Sequence, residues 1–241
     1  MNKTIKKIAL LSFLSVTAIN MGYGQAAKSD SLQYYASVAS FYKIIGEQSP
    51  LYVGFEPIPY DPTVKGNVYL QDTLRFVNSQ VNYGGIVYKN VPLVYDIYKG
   101  VLLSLLPNKV SQYNLVNEFV NYFNMDNHHY VRITGDTTNL KTGFYDELYN
   151  QKLRVLKKTE KIIQITSVEQ HVEKYYSKNA SFFLKKGNTY YSINSEGALI
   201  SVLKDKKKEL KQYIDTNNIK FKKDPAGSAK LLAAFYDSLT N

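Results

Sequence analysis

The sequence predicts an α+β fold: a single curved antiparallel sheet of many short strands, half-barrel or sandwich-like, with an N-terminal helix and a C-terminal helical pair. Three observations carry this. Across residues 66–193, runs rich in Tyr, Val, Ile and Phe alternate with polar and glycine-bearing turns, the pattern of short strands in one sheet. From about Ser195 the apolar spacing changes to a helical period. The chain also holds 22 Tyr and 11 Phe but no Trp, and tyrosine suits a pleated surface with one wet face.

Residues 81–106, VNYGGIVYKNVPLVYDIYKGVLLSLL, read as an antiparallel meander. Gly84-Gly85, Lys89-Asn90 and Lys99-Gly100 are its turns or bulges. Alternation in LVYDIY places Leu93, Tyr95 and Ile97 on one face and Val94, Asp96 and Tyr98 on the other. Asp96 is therefore expected on the wetter face, or at a strand end where it finds a donor. Pro92 has no N–H for a ladder and belongs at a strand start or on an edge.

The remaining elements follow in order. Lys3, Lys6 and Lys7, an apolar run over residues 8–19 and the small-x-small triplet Gly22-Tyr23-Gly24 match a secretory signal over residues 1–24. That apolar run is too short to span a bilayer. Residues 25–50 read as a helical segment: Tyr35, Val38, Tyr42 and Ile45 recur at helical spacing and Gly46 ends the run. Three prolines in residues 51–62 predict an extended or looped segment, and residues 66–76 open strand territory.

The β domain is assigned to residues 51–194. Residues 114–123 fit a strand or a helix face and are read as strand from context. Short strands are expected over residues 130–133, 143–149, 152–157, 161–166, 172–176, 182–184 and 189–193, with Lys185-Lys186-Gly187-Asn188 a hairpin turn. Residues 195–241 form the helical pair. Leu199, Val202, Leu203, Leu210, Tyr213 and Ile214 make one apolar stripe, with lysines opposite. Asp224-Pro225 is a start signal for the last helix, whose packing face is Leu231, Leu232, Phe235 and Leu239.

Composition narrows the function classes. The absence of cysteine excludes disulfides, thiolate chemistry, Cys-ligated zinc and iron–sulfur clusters. The formal charge of +10 falls to +7 once the three signal lysines are removed. Residues 204–223 hold eight lysines against three acids, so the helical pair is the most basic region. Export makes nucleic acid an improbable partner; an acidic envelope protein, anionic lipid head groups at the membrane periphery, or another anionic ligand suits the charge.

No G-x-S-x-G elbow, H-E-x-x-H or P-loop is present. His128 and His129 are neighbours, so on a strand they point to opposite faces and share a metal poorly. Asp146 and Glu147 are better explained by solvation than by acid–base work, and no cofactor or metal site is expected.

The runs LYVGFEPIPYDPTVKGNVYL, YKNVPLVYDIYKGVL, HHYVRI, TGFYDELYNQKLRVLKK and LKDKKKELKQYIDTNNIKFKKDPAGSAKLLAAFYDSL cover most of the mature chain. In these the protein resembles a family of secreted envelope proteins of Bacteroidota. The resemblance implies export and a sheet followed by C-terminal helices; it implies no activity and transfers no site residues.

The sequence thus favours a non-catalytic envelope protein that binds a partner or ligand. The expected surface is Tyr95, Asp96 and Tyr98 on the meander, with Lys207, Lys208 and Lys211 on the basic helix. One alternative is a periplasmic carrier of lipid or another hydrophobic molecule. The other is an enzyme with a dispersed active site. A transmembrane β-barrel is disfavoured, because it needs strands of about ten residues through to the C-terminus.

Overall fold

A computed structural model describes residues 37, 40, 41, 45–135, 139–168 and 171–240. The expected signal segment, and most of the expected helical segment over residues 25–50, lie outside these. The described residues are mostly β, with one open sheet and three helices, consistent with α+β. The strands are β1 (Gly54–Phe55), β2 (Val64–Lys65), β3 (Val77–Tyr83), β4 (Ile86–Asp96), β5 (Val101–Leu105) and β6 (Gln112–Leu115). They continue as β7 (Val120–Met125), β8 (His128–Ile133), β9 (Gly143–Asn150), β10 (Arg154–Val168), β11 (His171–Lys186) and β12 (Thr189–Ser192). The helices are α1 (Glu196–Val202), α2 (Lys207–Thr216) and α3 (Pro225–Leu239).

The spatial order is β1-β6-β5-β4-β3-β7-β8-β9-β10-β11-β12, with β2 added parallel to β11. The expected meander is present as β3, β4 and β5, but Lys89-Asn90 does not end a strand. It is absorbed as a bulge in a continuous β4, with Asn90 at φ 58° and the β3–β4 register shifting between Ser79 and Val81. Pro92 is tolerated within β4 because pairing with β5 begins only at Leu93.

Two further expectations change. The strands expected over 152–157 and 161–166 are one strand, β10, and those over 172–176 and 182–184 are one strand, β11. Their register runs unbroken from Arg154↔Lys185 to Val168↔His171, so the polar residues between the apolar runs are ladder positions and not turns. The premise that all strands are short therefore fails for this hairpin. Residues 66–76 form no regular strand; they make a strap that touches the sheet through the Tyr69↔Asp96 bridge. No described helix is long and apolar enough to cross a membrane.

The strap and the long hairpin determine the shape of the sheet. β4 and β10 stand five places apart in the order, which in a flat sheet means about 24 Å. Yet the Lys161 N–H on β10 donates to Ile97 O, just past β4, at 3.0 Å. The sheet must curl to allow this. The strap follows the seam: Ile97 N–H donates to Val68 O at 3.0 Å, and Leu70 N–H to Tyr95 O at 2.9 Å.

The Lys161 side chain, 4% exposed, donates to Asn67 O (2.6 Å) and Asn67 Oδ1 (3.1 Å) and pairs with Asp72 Oδ1 (2.7 Å). An ammonium has three N–H groups, and each has an acceptor here. Lys178 grips the other Asp72 oxygen at 2.7 Å and Leu70 O at 2.6 Å.

Inside the curl, Tyr95, Phe123, Tyr130 and Phe144 pack as a cluster. Tyr95 meets the other three edge-on with centroids 5.5–6.0 Å apart, while Phe123 and Tyr130 stack at 4.6 Å. The C-terminal helices bury a second core against β10–β12: Val155, Leu184 and Ile193 meet Leu199, Leu203, Leu210, Ile214 and Leu232. The expected first helix of the pair is broken at Leu203, where a 3₁₀ turn (Lys204–Lys206) separates α1 from α2.

Asp224 caps α3 by accepting from Gly227 N–H, and Pro225 is its first residue. The α3 packing face is rotated from the one expected. Leu232 is buried together with Ala229, Ala233 and Tyr236, while Leu231 is exposed. Asp237 fixes this rotation by accepting from Tyr149 Oη–H and Leu153 N–H at 3.0 and 3.1 Å.

Lys161→Met should lower stability to chemical denaturation by about 2–4 kcal/mol, because the strap loses the buried donor that bonds Asn67 O and Asn67 Oδ1. Asp72→Ala, at an exposed carboxylate, should cost less than about 1 kcal/mol. Equal losses from the two would show that the exposed ion pair, and not the buried donor, holds the strap.

Candidate ligand-binding cleft

The strap and the residues before it also build a cleft. Gly54 lets the chain lie directly on β6: a Cβ there would sit 2.2 Å from Asn114 O and 2.6 Å from the Tyr113 ring. Pairing of Gly54 with Leu115 and Phe55 with Asn114 then aims residues 57–60 across β5 and β6. The two prolines Pro57 and Pro59 keep this roof out of any ladder. Between roof and sheet lies a cavity of ≈ 140 Å³ lined by Ile58, Tyr60, Tyr69, Lys99, Gln112 and Asn114, with the two prolines and Leu103.

Asp96 anchors the roof. Its Oδ1 accepts from the N–H groups of Tyr98 and Lys99, both at 2.9 Å, closing the β4–β5 turn as an Asx motif. Its Oδ2 accepts from Tyr60 Oη–H. Burial pushes the Asp96 carboxyl above the usual carboxylate range, opposed by the two N–H donors and by Lys99 and Lys161.

The rings of Tyr60, Tyr98 and Tyr176 meet edge-on with centroids 5.1–6.4 Å apart. Lys99 Nζ lies 4.1 Å from the Tyr60 centroid and donates to Ile58 O at 3.0 Å. Asn114 Oδ1, buried in the cleft wall, has no hydrogen-bond partner among the described residues. An unmet buried acceptor costs about 1–3 kcal/mol.

The residues expected to form a ligand surface divide. Tyr98 stands at the edge of the tyrosine group, 38% exposed. Asp96 is 0% exposed, because the strap covers the face that alternation made wet; the strand-end alternative, with its donors, describes it. Tyr95, 1% exposed, faces the aromatic core and offers nothing to a ligand. Lys207, Lys208 and Lys211 are exposed on α2, and no hydrogen bond or ion pair among the described residues links them to the cleft.

His128 and His129 do face opposite ways. His128 Nδ1 lies 2.8 Å from Asp146 Oδ2, and burial pushes the Asp146 carboxyl up while His128 lowers it. His129 Nδ1 meets Asn124 Oδ1 at 2.5 Å, and Glu147 pairs with Arg154 at 2.5 Å. None of these groups lines the cleft. No cluster of three or more His, Asp or Glu suited to a metal occurs among the described residues.

Tyr60, Lys99 and Asn114 were not singled out by sequence. The legible signal for Tyr60 is the proline-rich run at 57–62, which shows a loop but not where it lands, while Lys99 is legible only as part of the Lys99-Gly100 turn. No protein-family model, curated protein or solved structure matches the chain.

Because the folded Asp96 carboxyl holds its proton more tightly than an unfolded one, its contribution is greatest below the ordinary carboxylate range and is lost as pH rises. Asp96→Asn keeps an acceptor for the turn amides without the charge. It should match or exceed the wild type in stability at pH 7 and lose that advantage near pH 4. Asp96→Ala should cost about 2–4 kcal/mol by stranding two N–H groups. A pH-independent difference between wild type and Asp96→Asn would contradict this.

Proposed function

We propose that the protein is an exported, non-catalytic envelope protein that binds a ligand or a partner's side chain in the cleft roofed by residues 57–60. The observation that carries this is the cleft itself, a roofed recess of ≈ 140 Å³ with polar, aromatic and cationic lining; one of its lining residues, Asn114, has a buried Oδ1 without a hydrogen-bond partner among the described residues. Gln112 adds a second carboxamide, Tyr60 and Tyr69 add aromatic surface, and Lys99 adds a cation that suits an anionic group on the ligand. The leader pattern of residues 1–24 supports export.

The curl of the sheet supports reading it as a half-barrel. The packed rings of Tyr95, Phe123, Tyr130 and Phe144 occupy the space in which a carrier would hold its cargo. That favours surface binding over the carrier reading. Against the enzyme reading, Asp96, Asp146 and Glu147 are each satisfied by separate partners.

Asn114→Leu separates function from stability. Filling the cleft and removing an unmet acceptor should leave stability unchanged or raised by up to about 1 kcal/mol. A photo-crosslinking residue placed at Gln112 should capture an adduct in native envelopes that Asn114→Leu abolishes, while one at Lys208 should not. An adduct that forms equally from Lys208, or that survives Asn114→Leu, counts against the cleft.

A further inference from the structure

A second surface carries different chemistry. β3 reads Val77-Asn78-Ser79-Gln80-Val81-Asn82-Tyr83: Ser79, Val81 and Tyr83 are buried, and the three residues facing the other way are all carboxamides. Asparagine is depleted in strands, and β3 is an internal strand between β4 and β7, so edge protection does not explain the choice. Gln80 sits opposite Asn124 of β7, extending the amide row across the sheet.

This row borders a groove of ≈ 520 Å³, within the range of about 300–1,000 Å³ typical of small-molecule sites. It is lined by residues 77–80 of β3 and by Asn124 and Met125 of β7. One wall is the Lys89-Asn90 bulge, and the other is the Asp126-Asn127 turn. Asn90, Asp126 and Asn127 all adopt left-handed backbone, at φ 58°, 48° and 64°, which Asn and Asp tolerate.

The groove is braced from outside. Gln71 Nε2 donates to Asp126 Oδ2 at 2.5 Å, with Arg75 at 3.4 Å, and His129 orients Asn124. The carboxamides of Asn78, Gln80, Asn90 and Asn127 have no protein partner among the described residues.

A carboxamide both donates and accepts and carries no charge. An array of them matches a ligand whose neighbouring groups also do both, which describes the vicinal hydroxyls of a sugar. A purely anionic ligand brings acceptors only and leaves the amide oxygens unmatched. An added peptide strand is blocked, because β3 is already paired on both sides. We propose that this groove is a binding site for a neutral saccharide, independent of the tyrosine cleft.

The test titrates the mature protein with maltohexaose, cellohexaose, mannohexaose and xylohexaose at up to millimolar concentration, with oligogalacturonate as the acidic control. Side-chain amide resonances are followed by two-dimensional NMR. At least one neutral hexasaccharide should shift the Asn78 and Gln80 resonances saturably. Gln80→Thr and Asn78→Thr, which suit a strand better than the native residues, should each weaken binding about tenfold, roughly one or two net hydrogen bonds. Asn114→Leu should leave this binding intact, so failure of the tyrosine cleft and failure of the groove are separable. The proposal is overturned if no neutral hexasaccharide shifts these resonances, if only oligogalacturonate does, or if both threonine variants bind as the wild type does.

Discussion

The structure depends on what happens at Lys161. Its backbone N–H closes the curl of the sheet onto Ile97, and its buried ammonium ties down the strap through Asn67 and Asp72. A lysine is costly to bury unless every N–H finds an acceptor. Here each does, so desolvation is offset by directional bonds that only one arrangement of strap, β4 and β10 can supply. In a chain with no cysteine, this cluster takes the place of a covalent staple.

Cleft and strap are parts of one construction. The strap bridges to Asp96; Asp96 fixes the β4–β5 turn and holds Tyr60; Tyr60 holds the roof over β5 and β6. The roof therefore reports on a seam whose β10 residue, Lys161, lies 101 residues after Tyr60 in sequence. The amide groove belongs to a different part of the sheet and rests on the β3–β4 bulge and the β7–β8 turn. The curled sheet thus carries two separately braced recesses, and its interior is filled by the packed rings of Tyr95, Phe123, Tyr130 and Phe144.

How much of this is legible in the sequence depends on how local the determinant is. The Asp224-Pro225 cap, the Gly187 hairpin turn and the helical stripe of Leu199, Leu203, Leu210 and Ile214 are set within a few residues, and each is readable. The unity of β10 and β11 is not, because Thr159-Glu160 and Ser177-Lys178-Asn179 look like turns until each is seen paired with the other. Asp96 and Tyr98 point to the right region, since a carboxylate at a strand end needs donors. That the strap buries Asp96 is a tertiary fact, with a contact partner at Tyr69 that no periodicity reveals. The outward amides of β3 were visible in the alternation, but polar residues in VNSQVNY weaken the strand signal that would have drawn attention to them.

Native-state hydrogen exchange of the Lys161 backbone amide is the most direct test of this organisation. If the Ile97–Lys161 seam closes the sheet, that amide exchanges only with global unfolding, at the same free energy as the amides of β4, and both lose protection together when denaturant is added. Exchange of Lys161 at a much lower free energy than β4, in step with the distal end of the β10–β11 hairpin, would contradict the account and make the seam a loose contact.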